Sequence, residues 1–318
     1  MAAHVRLRSF AKINLDLRVL HKRADGYHEL RTVFQTISLA DTIEIDYTPG
    51  RTKIELISNV EIPGNLILKA CDLVLRATRA KGQFRIRLRK RIPMGGGLGG
   101  GSSNAAAMIL ALPVLLKRPL NVEKMLEIAS ELGSDVPFFL MGGTAVGLGR
   151  GTELYPLPDT PASPGLLITP EVHSSTAMAY AALKRKPSDE PAPGTLREFQ
   201  AFVQCATSPV ANRQSPPRND FETVVFRQHP QLKSLKGKLL KLGVRQALMT
   251  GSGSALFGLF PSRALRDQAA RWLRRELPAN QVYPFSMVSR GRYRSIWYRQ
   301  LAVSSESMTW PPQDRYAR

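Results

Sequence analysis

Six glycines fall within seven positions of the segment PMGGGLGGGSSNAAA, residues 93–107. Glycine lets the backbone approach a ligand closely and turn several N–H groups in the same direction. Ser102, Ser103 and Asn104 then open an alanine-rich helical pattern, and the N-terminus of a helix favours phosphate through its free N–H groups and its dipole. The segment therefore predicts a polyphosphate cradle. A flexible hinge would not require the strand predicted before it or the helix predicted after it.

Two common phosphate-binding patterns do not fit this segment. A Walker A loop needs Lys followed by Ser or Thr after its last glycine, whereas Gly101 is followed by two serines. Gly95, Gly97 and Gly100 match the dinucleotide pattern, but the acidic residues at a suitable distance lie in a predicted helix instead of at a strand end. The spacing therefore points to another class of phosphate loop.

Two further segments hold side chains that could act on a hydroxyl group. Asp135 precedes Pro137 in ELGSDVPFF, and Lys12 lies among apolar residues in FAKINLDL. Taken alone, Asp135 suits the cap of a helix with Pro in its first turn. Lys12 suits the edge of a strand with its ammonium group in solvent. These residues alone leave both the structural and the catalytic interpretations open.

The segment RADGYHEL, residues 23–30, combines a turn with two aromatic rings. Asp25 and Gly26 predict a hairpin turn, beside which Tyr27 and His28 could simply pack. A nucleobase such as cytosine needs a hydrogen-bonding partner at its edge and flat faces to stack on, and His and Tyr provide both.

These candidates need a scaffold that brings distant segments together. HVRLRSF, AKINLDLRVL, LRTVFQTISL and TIEIDY predict several strands in the first sixty residues, and FRIRLRKRI predicts another. Helical patterns cover residues 65–80, with Asn65 as the cap, then 102–117 and 121–132. This mixture predicts an α+β fold.

A proline-rich stretch, YPLPDTPASPG, predicts the crossover into a second domain. We therefore predict domains over residues 1–155 and 156–300, and a flexible tail over residues 301–318. Within the second domain, PQLKSLKGKLLKLG and RALRDQAARWLRREL predict helices. RQALMTG and SALFGLF predict paired strands around a glycine turn.

Composition narrows the class of protein. The formal net charge is +20 and the sequence pI is about 10.4, which can indicate a nucleic-acid binder. The basic residues are scattered with few aromatics between them, so we expect solvated faces or attraction of polyanionic small molecules instead. Two distant cysteines suggest no disulfide framework, and no apolar run approaches the roughly 20 residues of a membrane span. We expect a cytoplasmic protein with neither nucleic acid nor membrane as partner.

The glycine segment resembles the second motif of the GHMP kinases, in which that loop wraps the ATP phosphates. MTGSGSALFG, residues 249–258, is similar to their third motif. The resemblance implies a fold of the ribosomal protein S5 domain 2-like type for the ATP-binding N-terminal domain and a GHMP-kinase-type α/β C-terminal substrate domain. It also implies ATP as cosubstrate, with residues 93–103 and Asn65 near the nucleotide and Gly251, Ser252 and Gly253 in the third motif. Written out, the loop is Pro93, Met94, Gly95, Gly96, Gly97, Leu98, Gly99, Gly100, Gly101, Ser102 and Ser103.

Within that superfamily, FAKINLDL, RADGYHEL, ELGSDVPFF and VHSSTAMAYAAL resemble the diphosphocytidyl-methylerythritol kinases. The resemblance implies that Asp135 accepts the hydroxyl proton and that Lys12 orients the aspartate and the substrate oxygen. It places His28 at the cytosine edge, with Tyr27 and Tyr180 flanking the base. Thr176 and Asn14 would lie nearer the diphosphate and methylerythritol.

The reaction implied is ATP-dependent phosphorylation of the 2-hydroxyl of 4-diphosphocytidyl-2-C-methyl-D-erythritol, in non-mevalonate isoprenoid precursor synthesis. Mg²⁺ is expected because it neutralises the transferring phosphates. Its protein ligands are unknown, and Ser103 is a candidate. NDFE, residues 219–222, resembles a family segment for which the sequence suggests no chemical role. The alternatives are a GHMP kinase for mevalonate, homoserine or a sugar, and a basic nucleic-acid-binding protein on an S5-like fold.

Overall fold

Two long antiparallel strands organise the N-terminal half of the chain. β1 spans Ala3–Lys22 and β2 spans His28–Thr48, so the several strands predicted in this region are two continuous ones. The register shifts after Phe10 and after Asn14, because bulges let a long strand bend and re-aim its side chains without ending. The strands are joined through Gly26, whose φ of +83° fits the predicted turn.

The first sheet contains six strands, and in the computed structural model four helices lie between these strands along the chain. The strand order is β3-β4-β2-β5-β6, and β1 also pairs with β2. The structure describes residues 2–159, 162–172, 174–187, 189–191, 194–207, 216–277, 281–301 and 310–312. The remaining bounds are β3 Lys53–Ser58, α1 Leu66–Thr78, β4 Gln83–Arg89, α2 Gly100–Leu115, α3 Val122–Leu132, α4 Val136–Met141, β5 Thr144–Gly149 and β6 Glu153–Pro156.

A second, four-stranded sheet follows with the order β10-β7-β9-β8. Its strands β8 and β9 form the antiparallel pair predicted around the third glycine motif. The bounds are β7 Pro164–Ile168, α5 Thr176–Ala182, α6 Thr195–Thr207, α7 Glu222–Gln228, α8 Pro230–Lys241, β8 Gln246–Met249, β9 Leu256–Leu259, α9 Arg263–Glu276, β10 Val282–Ser286 and α10 Arg290–Gln300.

The packing joins the two sheets. One apolar cluster combines the first sheet with α1 to α4 and with Trp297 of α10. Another lies between the sheets, where Ile13 and Val33 of the first meet Phe257 and Phe285 of the second. Burial of such side chains is the main force that holds layers together. Because α10 returns to the core of the first sheet, the division into domains at residue 155 stays a prediction.

Local signals explain where several helices begin. Asn65 accepts a hydrogen bond from the Ile67 N–H at 3.0 Å, and Asn121 caps α3 in the same way through the N–H of Lys124. Such caps satisfy N–H groups that have no acceptor within the helix. In contrast, α2 begins at Gly100, two residues before the serines predicted to open it.

One helix was not predicted from the sequence, and one expectation needs correction. No pattern predicted α6, which lies between proline-rich segments. Trp310 does not belong to a loose tail, because its indole N–H donates to the Leu140 carbonyl at 2.7 Å and its ring contacts Tyr293 and Tyr298. The rest of the predicted tail after Leu301 lies outside the described residues.

Two further sequence observations concern the core and the membrane. Cys71 is buried in the first apolar cluster, and burial raises the pKa of its thiol to about 12. No helix in the described ranges combines the length and apolarity needed to cross a bilayer.

Candidate active site

A cleft of about 1130 Å³ brings together segments from both sheets. It is lined by the glycine loop, the β1–β2 turn, the start of α4, the start of α5 and the third glycine motif. Nearly all the residues predicted from sequence line it. They are Lys12, Asn14, Tyr27, His28, Asn65, residues 93–102, Asp135, Thr176, Tyr180, Gly251 and Ser252.

The glycine loop ends in the N-terminus of α2. Gly99 is the N-cap residue with a φ of +66°, a backbone conformation that residues with a side chain rarely adopt. The Ser103 N–H donates to the Gly99 carbonyl at 2.8 Å, so the N–H groups before it have no acceptor within the helix. These free donors and the positive end of the helix face the cleft at Gly100, Gly101 and Ser102, which makes a site for phosphate oxygens.

The two glycine motifs touch through their main chains. A Cβ atom added to Gly97 would lie 2.2 Å from the Thr250 carbonyl oxygen, and one added to Gly251 would lie 3.0 Å from the Cα of Gly97. The Lys12 N–H also donates to the Leu98 carbonyl at 3.0 Å. The loop is therefore fixed by backbone contacts to β1 and to the third motif, and glycine is required at both contact points.

Two predicted residues do not reach the cleft. The hydroxyl of Ser103 is buried and accepts a hydrogen bond from Ser9 at 2.7 Å, so the expected role of Ser103 in ATP or metal binding is not supported. Gly253 does not line the cleft, and its N–H donates to the Thr250 carbonyl at 3.1 Å within the third motif. Asn104, one helical position beyond Ser103, does line the cleft, and its buried Oδ1 has no hydrogen-bond partner among the described residues.

Lys12 and Asp135 meet as the resemblance implied. The Lys12 ammonium lies 3.4 Å from Oδ2 of Asp135, and its side chain is 4% exposed against 34% for the carboxylate. Lys12 Nζ also donates to Asn14 Oδ1 at 2.8 Å and lies 5.3 Å from the centre of the Phe34 ring. The ammonium group is thus inside the protein, in contrast to the solvated strand-edge alternative.

Asp135 sits at the N-cap of α4 but makes no capping hydrogen bond through its side chain. Pro137 has no backbone N–H group that would need an acceptor, so it suits the first turn of a helix. The carboxylate is therefore free to point into the cleft, where it lines the wall beside the glycine loop. Asp135 thus occupies the cap position of α4, but its carboxylate is not used to cap the helix.

Asn14 connects the lysine to the third motif. Its Oδ1 accepts hydrogen bonds from Lys12 and from the Gly251 N–H, the latter at 3.0 Å. Its Nδ2 donates to Thr32 at 2.8 Å, and its own N–H donates to Thr250 Oγ1 at 3.1 Å. Asn14 lines the cleft, yet most of its polar capacity is used in holding Lys12 and Gly251.

The aromatic residues form two separate stacks. The His28 ring stacks on Tyr180 with centroids 4.7 Å apart, and Phe221 meets Tyr180 edge-on at 4.8 Å. Burial, followed by repulsion from Lys22, lowers the pKa of His28, so its imidazole is neutral near pH 7. A neutral imidazole offers one donor and one acceptor, which suits the edge of a base.

Tyr27 lies at the tip of the β1–β2 turn and is half-exposed. The Arg150 guanidinium lies 3.5 Å from the centre of its ring, so that face of the ring is covered by a cation. Arg150 belongs to the β5–β6 turn and lines the cleft, and its buried Nε has no hydrogen-bond partner within the residues that the structure describes. Sequence reasoning missed Arg150, because one arginine among 45 basic residues carries no local signal.

Two hydroxyl contacts join α5 to the third motif. Thr176 Oγ1 lies 2.8 Å from Ser252 Oγ, and Ser174 Oγ donates to the Ser252 carbonyl at 2.9 Å. The segment predicted to bind substrate is therefore hydrogen-bonded to the third glycine motif.

The NDFE segment holds the third motif in place. Asn219 Nδ2 donates to the carbonyl groups of Met249 and Gly251 at 2.7 and 2.8 Å. Glu222 accepts from the Met249 N–H at 2.8 Å, and Asp220 accepts from the Val19 N–H at 2.9 Å. These contacts assign a structural role to a segment for which the sequence suggested none.

Asn65 and Lys90 stand at the glycine-loop end of the cleft. The side-chain oxygen of Asn65 caps α1, and the residue also lines the cleft. Lys90, which was not predicted, donates to the buried carboxylate of Asp41 at 2.5 Å. A Cβ added to Gly100 would lie 2.7 Å from Lys90 Nζ, so the ammonium adjoins the loop.

Comparison with known proteins agrees with this geometry. The family described as GHMP kinases N terminal domain matches residues 65–143, and GHMP kinases C terminal matches residues 210–279. A crystal structure of a 4-(cytidine 5'-diphospho)-2C-methyl-D-erythritol kinase superposes with a TM-score of 0.72 and 35% identity, covering 89% of this chain and 98% of that one. A homoserine kinase from Cytophaga hutchinsonii, at 17% identity, shares the fold with a TM-score of 0.68 over 90% and 95% of the two chains.

The full-length relatives are more specific. A 4-diphosphocytidyl-2-C-methyl-D-erythritol kinase of Solibacter usitatus is 51% identical over 315 residues, covering 98% of both chains. One of Thermotoga petrophila is 40% identical over 260 residues, covering 80% of this chain and 91% of its own. The chain therefore belongs to the 4-diphosphocytidyl-2-C-methyl-D-erythritol kinase family of GHMP kinases, as the motifs predicted.

Proposed function

We propose that this chain transfers the γ-phosphoryl group of ATP to the 2-hydroxyl of 4-diphosphocytidyl-2-C-methyl-D-erythritol. The observation that carries the proposal is the Lys12–Asp135 pair, 3.4 Å apart, in the same cleft as a phosphate cradle. A kinase needs both an anion site for the nucleotide and a group that orients the acceptor hydroxyl.

The N–H groups at the start of α2 would bind the ATP phosphates. These donors are fixed by the contacts of Gly97 and Leu98 to the third motif and to β1. Rigid donors of this kind stabilise developing charge without having to reorganise during the reaction. The loop would therefore bind the transferring phosphoryl group through its main-chain N–H groups, and its side chains would contribute less to this binding.

Asp135 and Lys12 would act on the acceptor. The hydroxyl oxygen attacks the γ-phosphorus, the bond from that phosphorus to the β–γ bridging oxygen breaks, and the hydroxyl proton passes to Asp135. A neighbouring ammonium group makes a carboxylate a weaker base, but in a loose transition state the proton leaves late and alignment matters more than basicity. Lys12, held by Asn14, therefore positions the carboxylate and the substrate oxygen.

The cytidine end would bind at the aromatic residues. His28, neutral near pH 7, would meet the edge of cytosine, and Tyr27 offers the ring face opposite Arg150 for stacking. The ring of Tyr180 stacks on His28, so it can hold the imidazole in place as well as flank the base. Thr176 stands where this end of the cleft meets the third motif.

Mg²⁺ fits the cleft as a partner of the phosphates. Among the described residues, no group of three or more His, Cys, Asp or Glu could hold a metal, and Mg²⁺ commonly uses few protein ligands besides phosphates and waters. Ser102 and Asn104 would hold it, because both line the cleft and Asn104 Oδ1 has no hydrogen-bond partner in the described part of the chain. When bound, the ion neutralises charge on the transferring phosphates.

The decisive experiment measures ADP release with Mg·ATP and, in parallel, the diphosphocytidyl substrate, mevalonate and homoserine. We expect release with the first substrate only. Asp135→Asn should slow turnover by about two to four orders of magnitude, while Glu131→Gln, an equal charge change at an exposed position on α3, should not.

Other outcomes would change the proposal in defined ways. Release with another alcohol would preserve a GHMP kinase but refute the roles of Tyr27, His28 and Tyr180. Normal turnover by Asp135→Asn would refute the role of the carboxylate. Absence of transfer to any alcohol, together with salt-sensitive RNA binding, would favour the nucleic-acid alternative.

A further inference from the structure

A second pocket, of about 540 Å³, lies apart from the cleft and shares no lining residue with it. It forms where the first part of β1, the middle of β2, the end of β4, β10 and the end of α10 meet. We call it the arginine pocket. Its lining is Arg6, Arg8, Ser38, Leu39, Ala40, Thr42, Arg91, Pro284 and Gln300.

The positive charge of this pocket is poorly compensated. Arg6 pairs with Glu44 at 3.5 Å, but within the described ranges no carboxylate forms a salt bridge with Arg8 or Arg91. Arg8 is exposed at one side, and its partial burial lowers the pKa of its guanidinium, as does repulsion from Arg292 and Arg91. Like charges gathered without counter-charge cost free energy, and a bound anion would remove that cost.

Arg8 is held in position for a ligand. Its Nη2 donates to the Ser38 carbonyl at 3.1 Å, and its guanidinium lies 4.9 Å from the centre of the Phe10 ring. The Arg8 N–H donates to Gln300 Oε1 at 3.2 Å, which fixes the side chain of Gln300 beside it. A guanidinium that is already oriented loses little freedom when it binds an oxyanion.

We propose that the arginine pocket binds a small molecule that carries a diphosphate or longer phosphate chain. One guanidinium group can donate hydrogen bonds to two phosphate oxygens at once. Two or more arginines can therefore bind more than one phosphate group. The volume falls within the range of small-molecule sites, about 300 to 1,000 Å³, and Leu39, Ala40 and Pro284 give it an apolar wall. The site differs from the ATP cradle, which is made of main-chain N–H groups.

The arginine pocket adjoins the anchor of the glycine loop. Asp41 Oδ1 accepts from the N–H groups of Arg91 and Ile92 at 2.7 and 2.8 Å, and its other oxygen holds Lys90. Lys90 lines the main cleft, whereas Arg91 lines the arginine pocket. Lys90 and Arg91 are consecutive residues but line two different anion sites, and the Asp41 carboxylate holds both residues in place.

The test is calorimetric titration of the full chain with inorganic pyrophosphate at about 0.15 M salt, where surface charges are screened beyond about 8 Å. Excess ADP fills the nucleotide site during the titration. The proteins are the wild type, the double variant Arg8→Gln/Arg91→Gln, and the control Arg271→Gln/Arg275→Gln. The control removes the same charge from exposed positions of α9.

We expect pyrophosphate to bind the wild type and the control alike and to bind the Arg8/Arg91 variant at least about tenfold more weakly, since a charge-assisted hydrogen bond contributes more than that factor. Thermal unfolding and ADP binding of the variants show that they are folded. Equal weakening in the control would overturn the proposal in favour of general charge attraction. So would the absence of binding to the wild type, or binding of a short RNA that pyrophosphate does not displace.

Discussion

Replacement of Lys12 by Met tests the proposed catalytic pair, Lys12 and Asp135, most directly. Met is close to Lys in length and apolar, so it retains packing against Phe34 while it removes the ammonium group. Nζ lies 3.4 Å from Asp135 and 2.8 Å from Asn14 Oδ1. The Asn14 oxygen keeps its hydrogen bond from the Gly251 N–H, so the substitution leaves no buried acceptor without a donor.

The expected effect follows from that distance. Two unit charges 3.4 Å apart interact by about 5 kcal/mol at an effective dielectric constant of 20 and by about 1 kcal/mol in water. Because the carboxylate is 34% exposed, the value lies between these limits. Loss of one fixed electrostatic group commonly costs about 3 to 4 kcal/mol in a transition state. We therefore expect kcat to fall by about 100-fold or more.

The assay is single-turnover ADP formation with saturating ATP and substrate, and calorimetry supplies the ATP affinity separately. Lys81→Met, at an exposed position before β4, is the control for a lost positive charge. We expect the melting temperature of Lys12→Met to be unchanged or raised, since a buried charge is costly to desolvate. A kcat within threefold of the wild type, with ATP affinity intact, would refute the assignment of Lys12.

Three other predictions concern the hydrogen bonds that hold the third motif, the pH dependence of stability, and the affinity for the substrate. Asn219→Ala should lower the free energy of unfolding by about 2 to 4 kcal/mol in urea titration, because it leaves two carbonyl groups of the third motif without a donor. Because the pKa of His28 is lowered, the unfolded chain binds that proton more readily, and stability should fall as the pH drops below about 6.5. Thermal unfolding of His28→Gln should show a weaker pH dependence. Arg150→Met should raise the KM for the diphosphocytidyl substrate by about threefold to tenfold through loss of the contact with Tyr27, and an equal rise in the KM for ATP would contradict that role.

Local patterns in the sequence predicted the parts of the site that depend on neighbouring residues. The glycine loop, the cap at Asn65 and the paired strands of the third motif each follow from residue types a few positions apart. The family resemblance added the roles of Lys12 and Asp135, whose proximity depends on tertiary contacts. Neither source indicated that Ser103 turns away from the cleft, because the direction of one hydroxyl depends on the buried position of Ser9.

The contacts that sequence reasoning missed join segments far apart in the chain. Arg150 and Tyr27 meet only when β5 pairs with β2, and Asn219 reaches the third motif through a bridge between its backbone and Leu17. Trp310 packs near the end of α4 although the sequence around it is polar and rich in proline. Composition and periodicity describe each segment by itself, so they do not report such pairings.

The contact between Gly97 and Thr250 bears on how this protein can diverge. The glycine-loop end of the cleft is built from main-chain atoms of three segments, so its shape can be retained when the surrounding side chains are substituted. A change in the length of either loop would displace its backbone and thereby the other loop. Among homologues and in mutant libraries, insertions and deletions should therefore be absent from both loops, even where the flanking residues vary freely.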